Sequence, residues 1–360
     1  MYDAIVVGAR CAGSPTAMLL AQRGYRVLLV DKATFPSDKL STHFILAAGV
    51  TQLEKWGLLE PVVATGCPPI DRFDVFMGDM PLPAGPPQDR ASYCPRRYLL
   101  DKILVDAAVA AGVELREAFA VDAINIEGGK VTGITGHSRR GAKVTEQARY
   151  VIGADGHNST VAKAVSAPKY RDDGSLTVGY YSYWSGLPME GAEVHFSTRG
   201  GVLAFPTNNE QVCIATGAGR ERFPEFKTKI EETFFHILDA APKFAARVRA
   251  AKREERFQGT ADLPNFFRKP FGDGWALVGD AGYMRDPVTG SGITDAFRDA
   301  ELLATALDEA FSGRHPAAEA LAGYQEQRDA AALPTYEATL QMASGALANQ
   351  LASLVPAPAP

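Results

Sequence analysis

The chain has 360 residues, a length that predicts about two domains. Its hydrophobic fraction of 46% and charged fraction of 22% are ordinary for a folded globular protein. With 34 Gly and 23 Pro, the chain has too little of either residue to be low-complexity or collagen-like. The net charge is −5 and no block of Lys and Arg stands out, which disfavours nucleic acid as the main partner, because phosphate binding depends on clustered cations.

The N-terminal segment predicts a βαβ unit. Residues 4–7 form a short apolar run typical of a buried parallel strand, residues 15–23 predict a helix, and residues 27–30 predict a second strand that ends at Asp31. A glycine-rich turn, GARCAG at residues 8–13, joins the first strand to the helix. This order of strand, turn, helix, strand and acid is the fingerprint of a dinucleotide site, in which the helix N-terminus faces a pyrophosphate and the acid a ribose hydroxyl.

Three residues of this turn have distinct expected roles. Gly8 permits the tight turn, and Gly13 lets the helix and strand pack closely. Arg10 replaces the middle glycine of the usual G-x-G-x-x-G pattern, so its side chain has to point away from the phosphate. Whether Arg10 contacts the cofactor or a neighbouring acidic residue stays open.

Further elements alternate between helical and strand patterns along the chain. Helices are predicted at residues 47–57, 97–111, 222–252 and 293–311, and strands at 113–116, 121–136, 148–152, 176–184, 192–196, 201–205, 211–217 and 275–278. The mixed-sign run at residues 252–256 is typical of a solvated helix face. Antiparallel-looking β segments separate the parallel ones, so the smaller domain is predicted to consist of insertions into the larger one.

Two more glycine-containing turns follow predicted strands. The first, GADGHNS at residues 153–159, contains the pair Asp155-Gly156, which alone would be an ordinary turn. The second begins at Gly279-Asp280 and continues to residues 290–293, which open onto a helix. Asp280 is placed to accept hydrogen bonds from polyol hydroxyls, and the later turn can offer N–H groups to an anionic or polarised oxygen.

Together these three motifs, over about residues 3–310, resemble the class A flavoprotein monooxygenases, whose prototype is para-hydroxybenzoate hydroxylase, and the related geranylgeranyl reductases and flavin-dependent halogenases. Residues 97–101, RYLLD, look like the Arg-x-x-Phe-Asp element of that family. The resemblance implies tightly bound FAD. It also implies an α/β fold: a Rossmann-like FAD-binding domain with a parallel sheet, an inserted and mostly antiparallel β-sheet domain for substrate, and a C-terminal helix.

The resemblance also implies which residues contact FAD. The expected contacts are Gly8, Ala9, Arg10, Ala12 and Gly13 at the pyrophosphate, Asp31 at the adenosine ribose with Lys32 beside it, Arg97 at the ribityl-pyrophosphate region, Val121 at the adenine, Asp155 in the second motif, Gly279 and Asp280 at the ribityl chain, and Pro287, Gly290, Gly292 and Ile293 facing the isoalloxazine. The corresponding domains are FAD-binding residues 1–72, 97–168 and 266–325, substrate-domain residues 73–96 and 169–265, and a C-terminal helix and tail at 326–360.

The sequence departs from the family at two places. Gly282-Tyr283 stands where the family often has x-His after Gly-Asp-Ala, which loosens any subgroup assignment. The Trp-x-Trp-x-Ile-Pro signature of the halogenases is missing, and only an aromatic-Pro pair, Phe205-Pro206, survives, as in the reductases. Halogenation is therefore disfavoured.

Candidate substrate contacts lie in the β-rich insertion. Tyr181 and Tyr183 share one face of a predicted strand, and with Phe205 they are candidates for an apolar pocket, although packing of the sheet onto a core explains them as well. His43 follows the βαβ unit and is a candidate catalytic residue near the flavin, with a structural role as the alternative. No Ser-His-Asp order and no metal-ligand spacing is present.

The cysteines and the C-terminal tail bear on the compartment and on membrane contact. Four separated cysteines and a chain that enters a strand directly after Met1 predict reduced thiols in a cytoplasmic protein without a signal peptide. Residues 338–360 carry no charge and are long enough to span a bilayer, but polar residues interrupt them. Leucines at helical spacing instead predict a docking helix with a disordered Pro-Ala end, not stable membrane insertion: Leu340, Leu347, Leu351 and Leu354.

The predicted function is an FAD-dependent monooxygenase that hydroxylates or epoxidises a hydrophobic, aromatic or polycyclic small molecule through a flavin C4a-hydroperoxide, as the resemblance implies. No second dinucleotide fingerprint exists, so NAD(P)H is expected as a transient reductant, with molecular oxygen as co-substrate. Two alternatives stay open. One is an FAD-dependent reductase of isoprenoid double bonds, and the other is a flavin-holding binding module without turnover. The oligomeric state is not predicted.

Overall fold

A computed structural model describes residues 1–83, 89–139 and 141–346 of the chain. Its strands are β1 (Tyr2–Val7), β2 (Val27–Val30), β3 (Pro69–Ile70), β4 (Phe73–Met77), β5 (Met80–Pro81), β6 (Ser92–Tyr93), β7 (Glu114–Arg116), β8 (Phe119–Glu127), β9 (Lys130–Ser138), β10 (Val144–Gly153), β11 (Lys169–Ser175), β12 (Thr177–Ser185), β13 (Ala192–Ser197), β14 (Gly200–Pro206), β15 (Val212–Gly219), β16 (Lys252–Arg253), β17 (Gln258–Thr260), β18 (Pro264–Arg268), β19 (Phe271–Gly272), β20 (Trp275–Leu277) and β21 (Tyr283–Met284). Its helices are α1 (Gly13–Gln22), α2 (Ala47–Lys55), α3 (Leu59–Val63), α4 (Arg97–Ala110), α5 (Thr160–Ala164), α6 (Phe223–Thr228), α7 (Ile230–Leu238), α8 (Pro242–Ala250), α9 (Gly292–Phe311) and α10 (Ala317–Ala343). Short 3₁₀ helices lie at Arg220–Arg222, Gly279–Ala281 and Pro287–Thr289.

A parallel sheet forms the centre of the part of the fold that contains the first βαβ unit. Strands β20, β10, β1, β2 and β7 lie in that order, and each neighbouring pair is parallel. Ala4 and Val6 of β1 face α1, α4 and α9, whereas Ile5 faces the meander of β8, β9 and β10. Because both faces are covered, the strands are continuously apolar, and the predicted α/β fold is confirmed.

A second, mostly antiparallel sheet stands beside the first. Its order is β16-β12-β15-β14-β13-β4-β5, and the β13–β4 pair is parallel. Two separate stretches of chain supply its strands, β4–β5 and β12–β17, so the predicted insertion into the parallel-sheet layer is confirmed. Helices α6, α7 and α8 cover one face, where the rings of Trp184 and Phe234 stack at 5.5 Å and those of Tyr180 and Phe226 at 4.9 Å.

Two expectations about elements need correction. The charged run at residues 252–256 is not a helix face, because Lys252–Arg253 forms strand β16 and pairs with Ser185 and Trp184 of β12. The C-terminal helix α10 begins at Ala317, earlier than the uncharged tail suggested. Leu340 is partly buried against Phe267 and Tyr336, which fits a docking helix.

Residues 347–360 of the predicted tail, including Leu347, Leu351 and Leu354, lie outside the described residues. In the part of the chain that the structure describes, no helix is both long and apolar enough to cross a membrane. Nor do the described residues contain a group of three or more His, Cys, Asp or Glu side chains that could hold a metal ion.

Candidate FAD-binding and active site

The first glycine-rich turn packs directly against the second motif. A Cβ on Gly8, which has a φ of +106°, would lie 2.4 Å from the carbonyl oxygen of Ala154, and a Cβ on Gly13 would lie 1.7 Å from the oxygen of Gly8. Only glycine permits this approach of strand, helix and neighbouring turn. Helix α1 has no side-chain cap at Ala12. The amide of Ser14 donates to the carbonyl oxygen of Arg10 at 3.0 Å and Pro15 has no N–H group, so Gly13 carries the amide of the first helical turn that can face an anion.

Asp31 fastens this turn to the loop that follows β2. Its carboxylate accepts hydrogen bonds from the amides of Ala9 at 2.7 Å and Ala33 at 2.8 Å. Each carboxylate oxygen retains a further acceptor site. Asp31 therefore lies at the carboxyl end of β2 and can still accept from a ribose hydroxyl, while the exposed Lys32 follows it directly.

Arg10 points towards helix α4. Its guanidinium forms an ion pair with the fully buried Asp101 and donates hydrogen bonds to the carbonyl oxygen and Oγ of Ser37, at 3.2 and 3.0 Å. Arg97 donates to the same carboxylate, from Nε at 3.0 Å and from Nη2 at 3.2 Å. Of the two contacts left open for Arg10, the structure shows the one with a neighbouring acidic residue.

Asp280 lies in a cleft that is open to solvent. The side chain is exposed, yet desolvation by the surrounding protein raises the pKa of its carboxyl, and His157, Arg97 and Lys39 are among the charged groups that face it. At the start of α9, a Cβ on Gly292 would meet no atom within 4 Å. Ser291 does not cap helix α9 with its side chain, so a second helix N-terminus faces this open space.

In the second motif, one carboxylate oxygen of Asp155 lacks a hydrogen-bond donor among the described residues. Its Oδ2 accepts from the amide of Thr160 at 2.6 Å, whereas its Oδ1 is buried and has no hydrogen-bond partner among the described residues. Desolvation raises the pKa of this carboxyl. A buried acceptor without a donor is costly, and this oxygen is thus suited to a hydroxyl of a bound ligand.

These features fit FAD. Two uncapped helix N-termini suit a pyrophosphate and a polarised flavin oxygen, and the carboxylates of Asp31, Asp155 and Asp280 can accept from sugar and ribityl hydroxyls. The remaining predicted contacts lie on the same elements: Val121 half-buried in β8, Gly279 in the 3₁₀ turn after β20, and Pro287, Gly290 and Ile293 in the turn that leads into α9.

The predicted substrate residues meet His43 in one buried cluster. His43 Nε2 lies 2.5 Å from Tyr183 Oη, and the ring centroids of Tyr181 and Phe205 lie 5.9 and 6.3 Å from the imidazole. Phe44 packs on Phe205 at 4.8 Å. We call these five side chains the aromatic cluster.

The aromatic cluster touches the turn that leads into α9. A Cβ on Gly290, which has a φ of +65°, would lie 3.2 Å from Phe44 Cβ. Burial and the nearby charges of Arg97 and Arg96 lower the pKa of His43 well below 6.5, so the imidazole is neutral at pH 7. Its Nδ1 is buried without a partner in the described chain, and burial raises the pKa of Tyr183.

Sequence reasoning missed Arg96, which packs against the Tyr183 ring of the aromatic cluster. Its guanidinium lies 3.8 Å from the centre of the Tyr183 ring, and Nη2 contacts Asp38 at 3.0 Å and Glu255 at 2.9 Å. Each of these partners is separated from Arg96 by tens to more than a hundred residues along the chain, so no local sequence pattern predicts the contacts. Asp101 was less hidden, because its i, i+4 spacing from Arg97 predicts an ion pair on a helix.

The fold and the site together define an FAD-dependent oxidoreductase. A family model described as "FAD binding domain" matches residues 1–339, and the chain belongs to that family. Its relatives place it in the superfamily of class A flavoprotein monooxygenases, as the motif order predicted. The protein is therefore an enzyme, and the alternative of a flavin-holding module without turnover is not supported.

Several known proteins are similar along most of their length. The digeranylgeranylglycerophospholipid reductase of Methanocella arvoryzae is 26% identical over 91% of this chain and 82% of its own, and the squalene epoxidase of Schizosaccharomyces pombe is 25% identical over 84% and 68%. Among solved structures, the myxobacterial chondrochloren halogenase CndH aligns with a TM-score of 0.85 at 22% identity, over 93% of this chain and 81% of its own. PqsL of Pseudomonas aeruginosa, a probable FAD-dependent monooxygenase, aligns with a TM-score of 0.80 at 22% identity, over 97% and 96%.

Proposed function

We propose that this enzyme is an NAD(P)H-using monooxygenase that hydroxylates or epoxidises a hydrophobic, aromatic or polycyclic small molecule. The observation that carries the proposal is the position of the aromatic cluster, which lies directly against the turn at Gly290 that would face the flavin. FAD, when bound, supplies hydride acceptance and oxygen activation. The overall reaction consumes substrate, O₂, NAD(P)H and a proton, and it yields oxygenated product, NAD(P)⁺ and water.

The chain's own residues would bind and orient the substrate. Tyr181, Tyr183 and Phe205 offer an apolar surface that excludes water, and His43 Nδ1 offers one polar position within it. These side chains are at most 7% exposed, so a substrate reaches them only when the packing around them opens. His43 is accordingly the candidate for polar contact with the substrate.

One of the relatives supports a hydrophobic substrate. The squalene epoxidase acts, by its name, as an oxygenase on an isoprenoid hydrocarbon, which favours oxygen transfer to an apolar molecule. We also propose the FAD contacts and the domain division given above, because the motifs that define them border one cleft. NAD(P)H as the direct reductant belongs to this proposal, with delivery of reducing equivalents by a separate flavin reductase as the competing route.

A second candidate is an FAD-dependent reductase of isoprenoid double bonds. The resemblance over most of the chain to an archaeal digeranylgeranylglycerophospholipid reductase favours it, as does the Phe205-Pro206 pair. Such a reductase would need no oxygen. The two candidates therefore differ in a property that can be measured before the substrate is known in detail.

The test uses the purified holoprotein and a panel of aromatic, polycyclic and isoprenoid compounds. We expect at least one compound to accelerate NAD(P)H oxidation and O₂ consumption together, with a product heavier by one oxygen atom. Turnover that proceeds equally under nitrogen, with product heavier by two hydrogens, would establish the reductase instead. A protein that neither contains FAD nor takes it up would contradict both.

A further inference from the structure

We propose that Arg96 and its two ion-pair partners, Asp38 and Glu255, form a gate through which the substrate reaches the aromatic cluster. The inference rests on the proposed function in one respect, because it takes the aromatic cluster to be the place where the substrate binds. It adds a route of entry to a cluster that is closed to solvent in the structure.

The aromatic cluster is enclosed on two sides by parts of the fold that are held by their backbones. Its five side chains are at most 7% exposed. The turn at Gly290 lies against Phe44, and the fully buried Ile70 and Cys94 belong to the same hydrophobic core as the cluster. A molecule that entered through these sides would have to displace the turn that leads into α9 or the hydrogen-bonded pair of strands β3 and β6.

Beside Tyr183, by contrast, the side chain of Arg96 covers the cluster. Its guanidinium carbon lies 3.8 Å from the centre of the Tyr183 ring, and the side chain is 6% exposed. The carboxylates that hold it, those of Asp38 and Glu255, are 35% and 32% exposed. The guanidinium thus lies between the buried ring and two groups at the surface. Its contacts are to side chains, so its displacement breaks no backbone hydrogen bond.

The two ion pairs join separate parts of the fold. Asp38 lies in the loop after β2, and its Oδ2 is 3.0 Å from Nη2 of Arg96. Glu255 lies beside β12, where its carbonyl oxygen accepts from Ser182 Oγ at 2.6 Å, and its Oε1 is 2.9 Å from the same guanidinium nitrogen. One nitrogen of Arg96 therefore ties the loop after β2 to the sheet that carries Tyr183.

These contacts can close the cluster and still open. Ion pairs with partly exposed carboxylates contribute only modestly to stability, so the gate opens at a low cost in free energy. Without both carboxylates, the guanidinium of Arg96 would be a buried cation over Tyr183 with no opposite charge beside it, which is unfavourable. Carboxamides at positions 38 and 255 should therefore let Arg96 turn outwards to water and uncover the Tyr183 ring.

Cys213 provides a reporter of the open state. It lies opposite Tyr183 in the β12–β15 pair and opposite Phe205 in the β14–β15 pair, and it is 1% exposed. Burial raises the pKa of its thiol, so the closed protein should resist alkylation at this position. Cys11 is the internal reference, because it is also buried but belongs to a different hydrophobic core.

The experiment measures the rate at which iodoacetamide alkylates each thiol of the holoprotein, followed peptide by peptide with mass spectrometry. It compares the parent chain with the double variant Asp38→Asn/Glu255→Gln and with Glu254→Gln. Glu254 is the matched control, because it directly precedes Glu255 but contacts Lys252 and Ser185 instead of the gate. No substrate, reductant or turnover enters the measurement.

The double variant should be alkylated at Cys213 about 5-fold faster than the parent or more, as expected when two such ion pairs no longer favour the closed state. Cys11 should react at the parent rate, and Glu254→Gln should match the parent at both thiols. An unchanged rate at Cys213 in the double variant overturns the gate. Equal acceleration at Cys213 and Cys11 also overturns it, because that result shows a general loosening of the fold.

This outcome is separable from that of the oxygenation test. If no compound accelerates O₂ consumption but Cys213 responds as expected, the gate is supported and the reaction proposed for the site is wrong. If turnover is found but Cys213 does not respond, the reaction is supported, and the substrate enters by a route other than the gate.

Discussion

His43 combines three properties that seldom occur together in a histidine. It is fully buried, its backbone has a φ of +61° in the left-handed region, and one ring nitrogen lacks a partner among the described residues. Backbone strain and unmatched buried polar atoms each lower stability, and they concentrate at functional sites. The nearby cations Arg96 and Arg97 reinforce the neutral form of the ring.

The first prediction concerns the pH dependence of stability. Because burial lowers the pKa of His43 below its unfolded value of about 6.5, the unfolded state binds the extra proton, and the protein loses stability as pH falls below about 6.5. His43→Asn removes this titration and tolerates the positive φ. The free energy of unfolding of the parent, minus that of the variant, should therefore decrease by up to about 1.4 kcal/mol for each unit by which the pH is lowered below about 6.5.

Urea unfolding of both proteins between pH 5 and pH 7.5 measures this difference. His137→Asn serves as the control, since His137 is only partly buried on β9 and pairs with Asp122. Contributions from other groups, such as the buried Asp299, are common to both proteins and cancel. Parallel stability curves for parent and His43→Asn would show that the imidazole is not held neutral by its surroundings.

At the scale of elements, the site depends on turns that bring separate helices and strands into contact. The turn between β1 and α1 touches the turn after β10, and the turn before α9 touches the loop after β2 through Phe44. Each contact occurs where glycine leaves no side chain. The N-termini of α1 and α9 both lack a side-chain cap, which suits the anionic and polarised groups of a dinucleotide cofactor.

The second prediction tests this close approach with Gly13→Ala. The added Cβ would overlap the carbonyl oxygen of Gly8, so α1 has to move away from β1, at a cost of about 1–3 kcal/mol in stability. FAD retention should fall with it, because the N-terminus of α1, which would face the pyrophosphate, shifts. Gly323→Ala is the matched control. It lies inside α10, where a Cβ has an ordinary contact at 3.9 Å, and it should stabilise by about 0.5–1 kcal/mol.

Chemical unfolding and the flavin-to-protein absorbance ratio of the purified variants measure both effects. A Gly13→Ala protein that keeps its full FAD content and stability would show that the first turn has room for a side chain. In that case the assignment of residues 8–13 to the pyrophosphate would be wrong.

At the scale of the whole molecule, three distant stretches of chain build the cleft. Asp31 comes from the first βαβ unit, Asp155 from the end of β10 and Asp280 from the turn after β20. Helix α10 links two of the sheets. The fully buried Arg328 donates to Tyr170 Oη of β11 at 2.7 Å, and Tyr324 Oη donates to the carbonyl oxygen of Leu277 in β20 at 2.9 Å. A ligand in the cleft therefore links parts of the fold that are far apart in sequence.

The third prediction is that FAD stabilises the entire fold. A ligand that binds only the native state, at a concentration 100 times its dissociation constant, adds about 2.7 kcal/mol to the free energy of unfolding. Thermal unfolding of flavin-free protein should thus shift upwards by several degrees on addition of FAD, in one cooperative transition. Adenosine at the same concentration is the comparison and should produce a smaller shift. Superimposable curves with and without FAD would contradict the proposed site.

Much of this organisation could be predicted from local patterns. Apolar runs with glycine-rich turns indicated β1, α1, β2, β10, β20 and α9, because parallel strands buried on both faces and helix N-termini have strong local signatures. The faces of β12 were also predictable from the two-residue period, which separates Tyr181 and Tyr183 from Tyr180 and Trp184. The charged run at residues 252–256 misled, since tertiary pairing with β12 decides its conformation.

The sequence by itself determined the class of protein, because cofactor binding depends on motifs whose residues are close together along the chain. Only the tertiary structure decided that Arg10 turns to Asp101, that Arg96 lies behind Tyr183, and that His43 meets the aromatic face of β12. The partners in each of these contacts are about 90 to 140 residues apart. Such contacts arise from the packing of whole layers and leave no periodic or local trace in the sequence.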